Sequence, residues 1–119
     1  MSFGSDTLRD LAAAKEVTIE TERHPGAPVT IWIVVCDATV FVRSVKGPKG
    51  RWYRDMATGS AGRLSFDGSS AAVRAVPVAD EEAITLVSQA YLDKYGPSQW
   101  AEAMVRPEVL GTTLRLQPM

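Results

Sequence analysis

A chain of 119 residues, 45% hydrophobic and 23% charged, can bury one real core but not two, so a single domain over residues 1–119 is expected. A net charge of −1 excludes the broad positive surface that nucleic acid or an anionic membrane rewards, so any anion site must be local. One cysteine, Cys36, excludes an internal disulfide, one histidine, His24, excludes a zinc cluster of His and Cys, and no basic segment leads into a long apolar run, which together read as a cytoplasmic protein.

Ser5 or Asp6 is expected to cap a short helix through residue 14, with Leu8 and Leu11 on one face. Residues 16–22 follow as a half-exposed strand in which Val17 and Ile19 alternate with Glu16, Thr18 and Glu20. The segment HPGAP, residues 24–28, breaks regular structure because proline lacks a donor and fixes its own φ. Residues 29–36, VTIWIVVC, are apolar at nearly every position, so a strand covered on both faces and lying at the centre of the sheet is expected. Asp37 and Ala38 then turn the chain into residues 39–44, TVFVRS, with Val40 and Val42 on one face and Thr39, Phe41 and Arg43 on the other.

After the loop SVKGPKGR, a short helix is expected over residues 51–57, with Trp52 and Met56 four apart. Residues 63–66 and 70–78 flank Asp67-Gly68, a dipeptide suited to a two-residue hairpin turn. Asp80 caps the longest helix, whose stripe is Ile84, Val87, Tyr91 and Tyr95 and whose stop is Gly96-Pro97. Ser98 starts a second short helix through residue 104, and residues 109–116 read as a closing strand. About six strands, short hairpin links and no regular strand-helix alternation give a mainly β fold, a small closed or partly closed antiparallel barrel with one long helix and short flanking helices.

Five of the chain's 13 Lys and Arg lie in residues 41–56, FVRSVKGPKGRWYRDM, against one acid, Asp55. A glycine-containing loop can turn backbone N–H groups toward an anion, and cationic side chains beside it add charge-assisted bonds, so a phosphate or carboxylate is the ligand this stretch suggests. The bland alternative is that Lys46 and Lys49 keep a hairpin tip soluble. Trp52 and Tyr53 can stack on a planar ring or on single-stranded nucleic acid, although a tryptophan four residues from a methionine more often packs in a core. Cys36 at the end of an apolar strand reads as an inert thiol, and no motif joins it to His24.

The run IWIVVCDATVFVRSVKGPKGRWYRDM resembles a small bacterial family of uncharacterised proteins, which in turn resembles the split barrels that bind flavin mononucleotide (FMN) or deazaflavin, the pyridoxamine-phosphate-oxidase-like group. The segment GRLSFDGSSAAVRAVPVADEEA is similar to that group's hairpin and following helix. The resemblance implies an antiparallel split β-barrel, a homodimer, and a cofactor phosphate held by Arg43, Ser44, Lys46 and Lys49, with Arg51 and Trp52 near the ring or phosphate tail. It also implies a small oxidoreductase. A non-catalytic module on the same barrel, binding another small anion or a protein, is the alternative.

Overall fold

The computed structural model describes residues 3–119, and its elements follow from local chemistry. Helix α1, Ser5–Ala13, is capped one residue earlier than expected: Gly4 is its N-cap, without a side-chain bond, and Ser5 and Asp6 lie inside the helix. Strand β1, Val17–Thr21, alternates as expected, with Val17, Ile19 and Thr21 buried. Strand β4, Thr39–Val42, is reached through Asp37 and Ala38, both at positive φ (49° and 62°), the geometry of a primed hairpin turn. Strands β5, Gly62–Phe66, and β6, Ser69–Pro77, are joined by Asp67 and Gly68, again both at positive φ. Helix α2 spans Arg51–Ala57. Helix α3 spans Glu81–Tyr95, and its Asp80 cap accepts from the Ala83 N–H at 2.9 Å.

Two expectations are corrected. Residues 29–36 do not form one central strand. They divide at Trp32 into β2, Val29–Ile31, and β3, Ile33–Cys36, which are the two ends of a seven-stranded antiparallel sheet ordered β2-β1-β5-β6-β7-β4-β3, where β7 is Leu114–Pro118. Because those ends are neighbours in sequence, the sheet curls into a nearly closed barrel whose seam is a single residue. The expected cover on both faces does hold for β3: Ile33 points into the barrel, and Val34 packs outside against Val87 and Tyr91 of α3. The second correction is at the C-terminal end, where only the last three of residues 109–116 are strand. Pro107 at the first helical position starts a one-turn helix α5, Pro107–Leu110, after α4, Gln99–Ala103, and strand β7 runs Leu114–Pro118. Thr112 and Thr113 hold the junction by donating to the Val109 and Leu110 carbonyls at 2.6 and 2.7 Å.

The barrel interior is filled by Val17, Ile19, Ile31, Ile33, Val40, Val42, Leu64, Val73, Leu114 and Leu116, with Trp52 and Met56 of α2 and Leu11 of α1 as end plugs. A second cluster, Val34, Phe41, Val87, Tyr91 and Met104, glues α3 and α4 to the outside of β3 and β4. No helix among the described residues is long and apolar enough to cross a membrane.

At the seam, backbone groups lose their ladder partners, and α3 supplies side chains instead. The Tyr91 hydroxyl donates to the Trp32 carbonyl (2.9 Å) and the Lys94 ammonium to the Ile33 carbonyl (2.6 Å). The Tyr95 hydroxyl accepts from the Ile33 N–H (3.3 Å) and donates to the Lys15 carbonyl (2.7 Å).

Burial pushes Lys94 down to about 8 and Tyr95 up to about 12. The unfolded chain therefore keeps the Lys94 proton to higher pH than the folded one, so stability should rise from about pH 8 to 10.5. Above about pH 10 the folded Tyr95 keeps a proton that the unfolded chain loses, so stability should fall. Denaturant titrations between those limits should show this maximum, and Lys94→Met should flatten its rising side; an unchanged rise in that variant would refute the assignment.

Candidate functional site

Where β4 ends, the chain leaves the ladder with Arg43 and Ser44 still buried and enters the basic loop. The Gly47 N–H closes a turn on the Ser44 carbonyl (2.9 Å) with Gly47 at φ +71°, and a single 3-10 turn, Gly47–Lys49, delivers Gly50 and the start of α2. Beside this loop lies a cavity of about 550 Å³, the size of a small-molecule site. It is walled by β2 and Trp32, by Arg43, Ser44, Val45 and Lys46, by Gly50, Arg51 and Trp52, and by Trp100 and Met104 of the α4 region, with Glu16 also at its edge. All three tryptophans of the chain line it.

Of the six residues singled out in the sequence, the structure gathers Arg43, Ser44, Lys46, Arg51 and Trp52 around this cavity. Lys49 is exposed on the 3-10 turn and is not among the lining residues.

Their roles in the fold differ. Ser44 is buried, its N–H donates to Thr112 Oγ1 (3.0 Å), and its own hydroxyl has no partner. Arg51 donates through Nη2 to the Ala27 carbonyl (3.2 Å), while its buried Nε has no partner. Among the described residues, Ser44 Oγ and Arg51 Nε are the buried side-chain polar atoms without a partner, and both belong to residues that line the cavity. Gly50 matters here because a Cβ at that position would lie 2.4 Å from Ser44 Oγ, so only glycine leaves the hydroxyl where it is.

Arg43 is 1% exposed, and its guanidinium is tied into the protein. Nε donates to Thr113 Oγ1 (2.8 Å), Nη1 to Ser88 Oγ (2.9 Å) and to the Met104 carbonyl (3.0 Å), and Nη2 to the Ile84 carbonyl (2.9 Å). Burial pulls its pKa down from the ordinary value, against the opposing effect of Tyr91, yet an arginine keeps its proton in a protein. Trp52 is both core and wall: it is 7% exposed within the barrel cluster and also lines the cavity.

Sequence reasoning missed Trp32 and Trp100. Trp32 was concealed in an aliphatic run that reads as core, but at the seam it stacks on Tyr95 (centroids 5.2 Å apart) and stands edge-on to Trp100 (5.9 Å). Trp100 is 57% exposed, which makes it, with Val45, an apolar rim on the cavity mouth.

His24 does not meet Cys36. Its Nδ1 is paired with Asp55 Oδ2 (2.5 Å), which also accepts from Thr21 Oγ1 (2.7 Å). Cys36 belongs instead to the cluster under α3, where burial and Asp37 push its thiol up, away from nucleophilic reactivity. Burial alone would raise Asp55, but the bonds from Thr21 and His24 and the charges of His24 and Arg23 hold its carboxyl below the usual range. Its stabilising contribution is then present above the ordinary carboxylate pKa and is lost as pH falls through the lower folded value. Acid unfolding followed by circular dichroism should show a shallower loss of stability below about pH 4 in Asp55→Asn than in the wild type. Parallel acid curves would remove Asp55 from that role.

Among the solved structures that share this fold are two from mycobacteria. One, from Mycobacterium tuberculosis, is described as the conserved hypothetical protein Rv2991; it aligns at a TM-score of 0.64 and 12% identity over 98% of this chain and 79% of that one. The other is the FAD and heme binding protein from Mycobacterium smegmatis, with a TM-score of 0.56 and 21% identity over 97% of this chain; this chain spans only 65% of its length. A comparison with curated proteins finds no match. The sequence of residues 7–116 matches the family described as "Uncharacterized protein conserved in bacteria (DUF2255)", and the chain belongs to that family.

Proposed function

We propose that the cavity binds a phosphorylated flavin, FMN or a deazaflavin, with the ring among the tryptophans and the phosphate at the basic loop. The observation that carries this reading is the pair of unpartnered buried atoms, Ser44 Oγ and Arg51 Nε, in a wall that also holds Trp32, Trp52 and Trp100. Buried polar groups are nearly always satisfied, and a phosphate offers acceptors to both. Lys46, exposed on the wall, adds positive charge to the cavity, and Lys49 adds more from the neighbouring 3-10 turn. The apolar and aromatic remainder of the wall suits a planar ring, and the similar fold of a protein that binds FAD and heme supports the ligand class.

When bound, the flavin supplies hydride or electron transfer. The chain's own residues bind the phosphate, orient the ring and exclude water from one side of it. The exposed Trp100 and Val45 at the mouth suit a homodimer in which a second copy covers the ligand.

The test is a titration of the purified protein with FMN, and in parallel with a deazaflavin, following flavin fluorescence and melting temperature. Saturable binding is expected, with about 2.7 kcal/mol of added stability at a ligand concentration one hundred times Kd. Neither a fluorescence change nor a thermal shift with either ligand would overturn the proposal.

A further inference from the structure

We infer that Arg43 sets the charge selectivity of this cavity without needing to touch the ligand: it is a fixed cation in the wall whose missing counter-charge is the ligand's anionic group. The inference rests on the phosphate-binding reading above. All four of the guanidinium's hydrogen bonds end on neutral oxygens: two hydroxyls, Thr113 and Ser88, and two carbonyls, Met104 and Ile84. No ion pair to Arg43 is present among the described residues; the cation pairs there are Arg9–Asp6 and His24–Asp55. Tyr91 presents its ring 5.7 Å from the guanidinium carbon, which adds a favourable but partial negative charge.

A cation 1% exposed has lost its water and, in this fold, has gained no carboxylate. Its bonds reach α3, the end of α4 and the residue before β7, so it cannot swing out to find one. Arginine suits this role: a lysine would keep the charge but could not serve four divergent acceptors, and a neutral side chain would not carry the charge. The other charges on the wall are Lys46, which is exposed, Arg51, which is half-buried, and Glu16, which is exposed and of opposite sign. Salt screens the exposed pair, whereas the buried Arg43 acts through a low-dielectric wall and is screened far less.

Binding of FMN and of riboflavin, which differ by the phosphate, separates these contributions. The wild type is expected to prefer FMN by roughly a hundredfold, and a preference on the order of tenfold should survive in 0.5 M KCl. Arg43→Gln should lose about tenfold of the preference at either salt concentration while riboflavin affinity stays within a factor of about three. Arg43→Lys, if folded, should keep most of the preference. Lys46→Gln should matter only at low salt. If the Arg43 variants do not fold, the wild-type salt series decides: a preference abolished by 0.5 M KCl overturns the inference.

Equal affinity for FMN and riboflavin overturns it while leaving the flavin reading intact. If neither flavin binds, the flavin reading fails, and inorganic phosphate decides the rest. Stabilisation by phosphate over chloride at equal ionic strength, reduced in Arg43→Gln, sustains the inference, and its absence ends it.

Discussion

Trp52→Ala is expected to lower the stability of the fold by about 3–5 kcal/mol, the range for truncating a large buried aromatic side chain. Trp52 is 7% exposed and sits with Met56 among the side chains that plug the barrel, so its removal leaves a void that neighbouring strands cannot close. The same substitution strips one wall from the cavity, so flavin affinity should fall with stability. Denaturant unfolding gives the first quantity and flavin titration the second. Trp52→Phe tells the two roles apart: it should restore most of the stability while leaving flavin binding weaker than in the wild type. A Phe variant with wild-type affinity would make Trp52 a core residue only.

Ser44→Ala is expected to act in opposite directions on stability and on binding. In the protein alone the Ser44 hydroxyl is buried without a partner, so deleting it should leave stability unchanged or raise it by about 1 kcal/mol. With a phosphate present, the lost bond to a charged acceptor should cost about 1.5–3 kcal/mol, a tenfold to hundredfold weaker FMN complex. Arg51→Gln, which removes Nε and the Nη2 bond to Ala27, should weaken FMN comparably but also loosen the loop before β2. Melting temperature and FMN titration on the same preparations suffice. A Ser44→Ala protein that is less stable and binds FMN normally would show that the hydroxyl serves the fold and not a ligand.

Where local chemistry decides the outcome, the sequence was legible. The turns at Asp37-Ala38 and Asp67-Gly68, the Asp80 cap and the α2 segment follow from residues a few positions apart. The strand break at Trp32 does not, because alternation and hydropathy say only that residues 29–36 are extended and covered. Which neighbour each half takes depends on Val17–Ile31 pairing at one end and Val42–Ile33 pairing at the other. Residues 109–116 misled for a related reason: Val109 is buried and Leu110 half-buried, yet Pro107 and the two threonines turn them into a helical knuckle.

At the site, charge and glycine content pointed to the right loop. The cavity's other wall came from Trp32 and Trp100, 68 residues apart, and only the folded chain brings them edge to face. Arg43 shows the same limit from the other side. Its charge was visible, but the oxygens of Ile84, Ser88, Met104 and Thr113 that hold it were not.

The position of β7 has a consequence for biosynthesis. This strand inserts between β6 and β4, with Leu116 facing both Ala75 and Val40. Until it emerges from the ribosome, the β3–β4 hairpin and the β2-β1-β5-β6 meander share no strand partner and must wait as two open half-sheets. Closure then requires contacts between residues far apart in the chain, which makes folding slow compared with a helical protein of this size. During that interval the apolar faces of Val40, Val42 and Ile33 are uncovered, so the nascent chain is at its most aggregation-prone before β7 has been made.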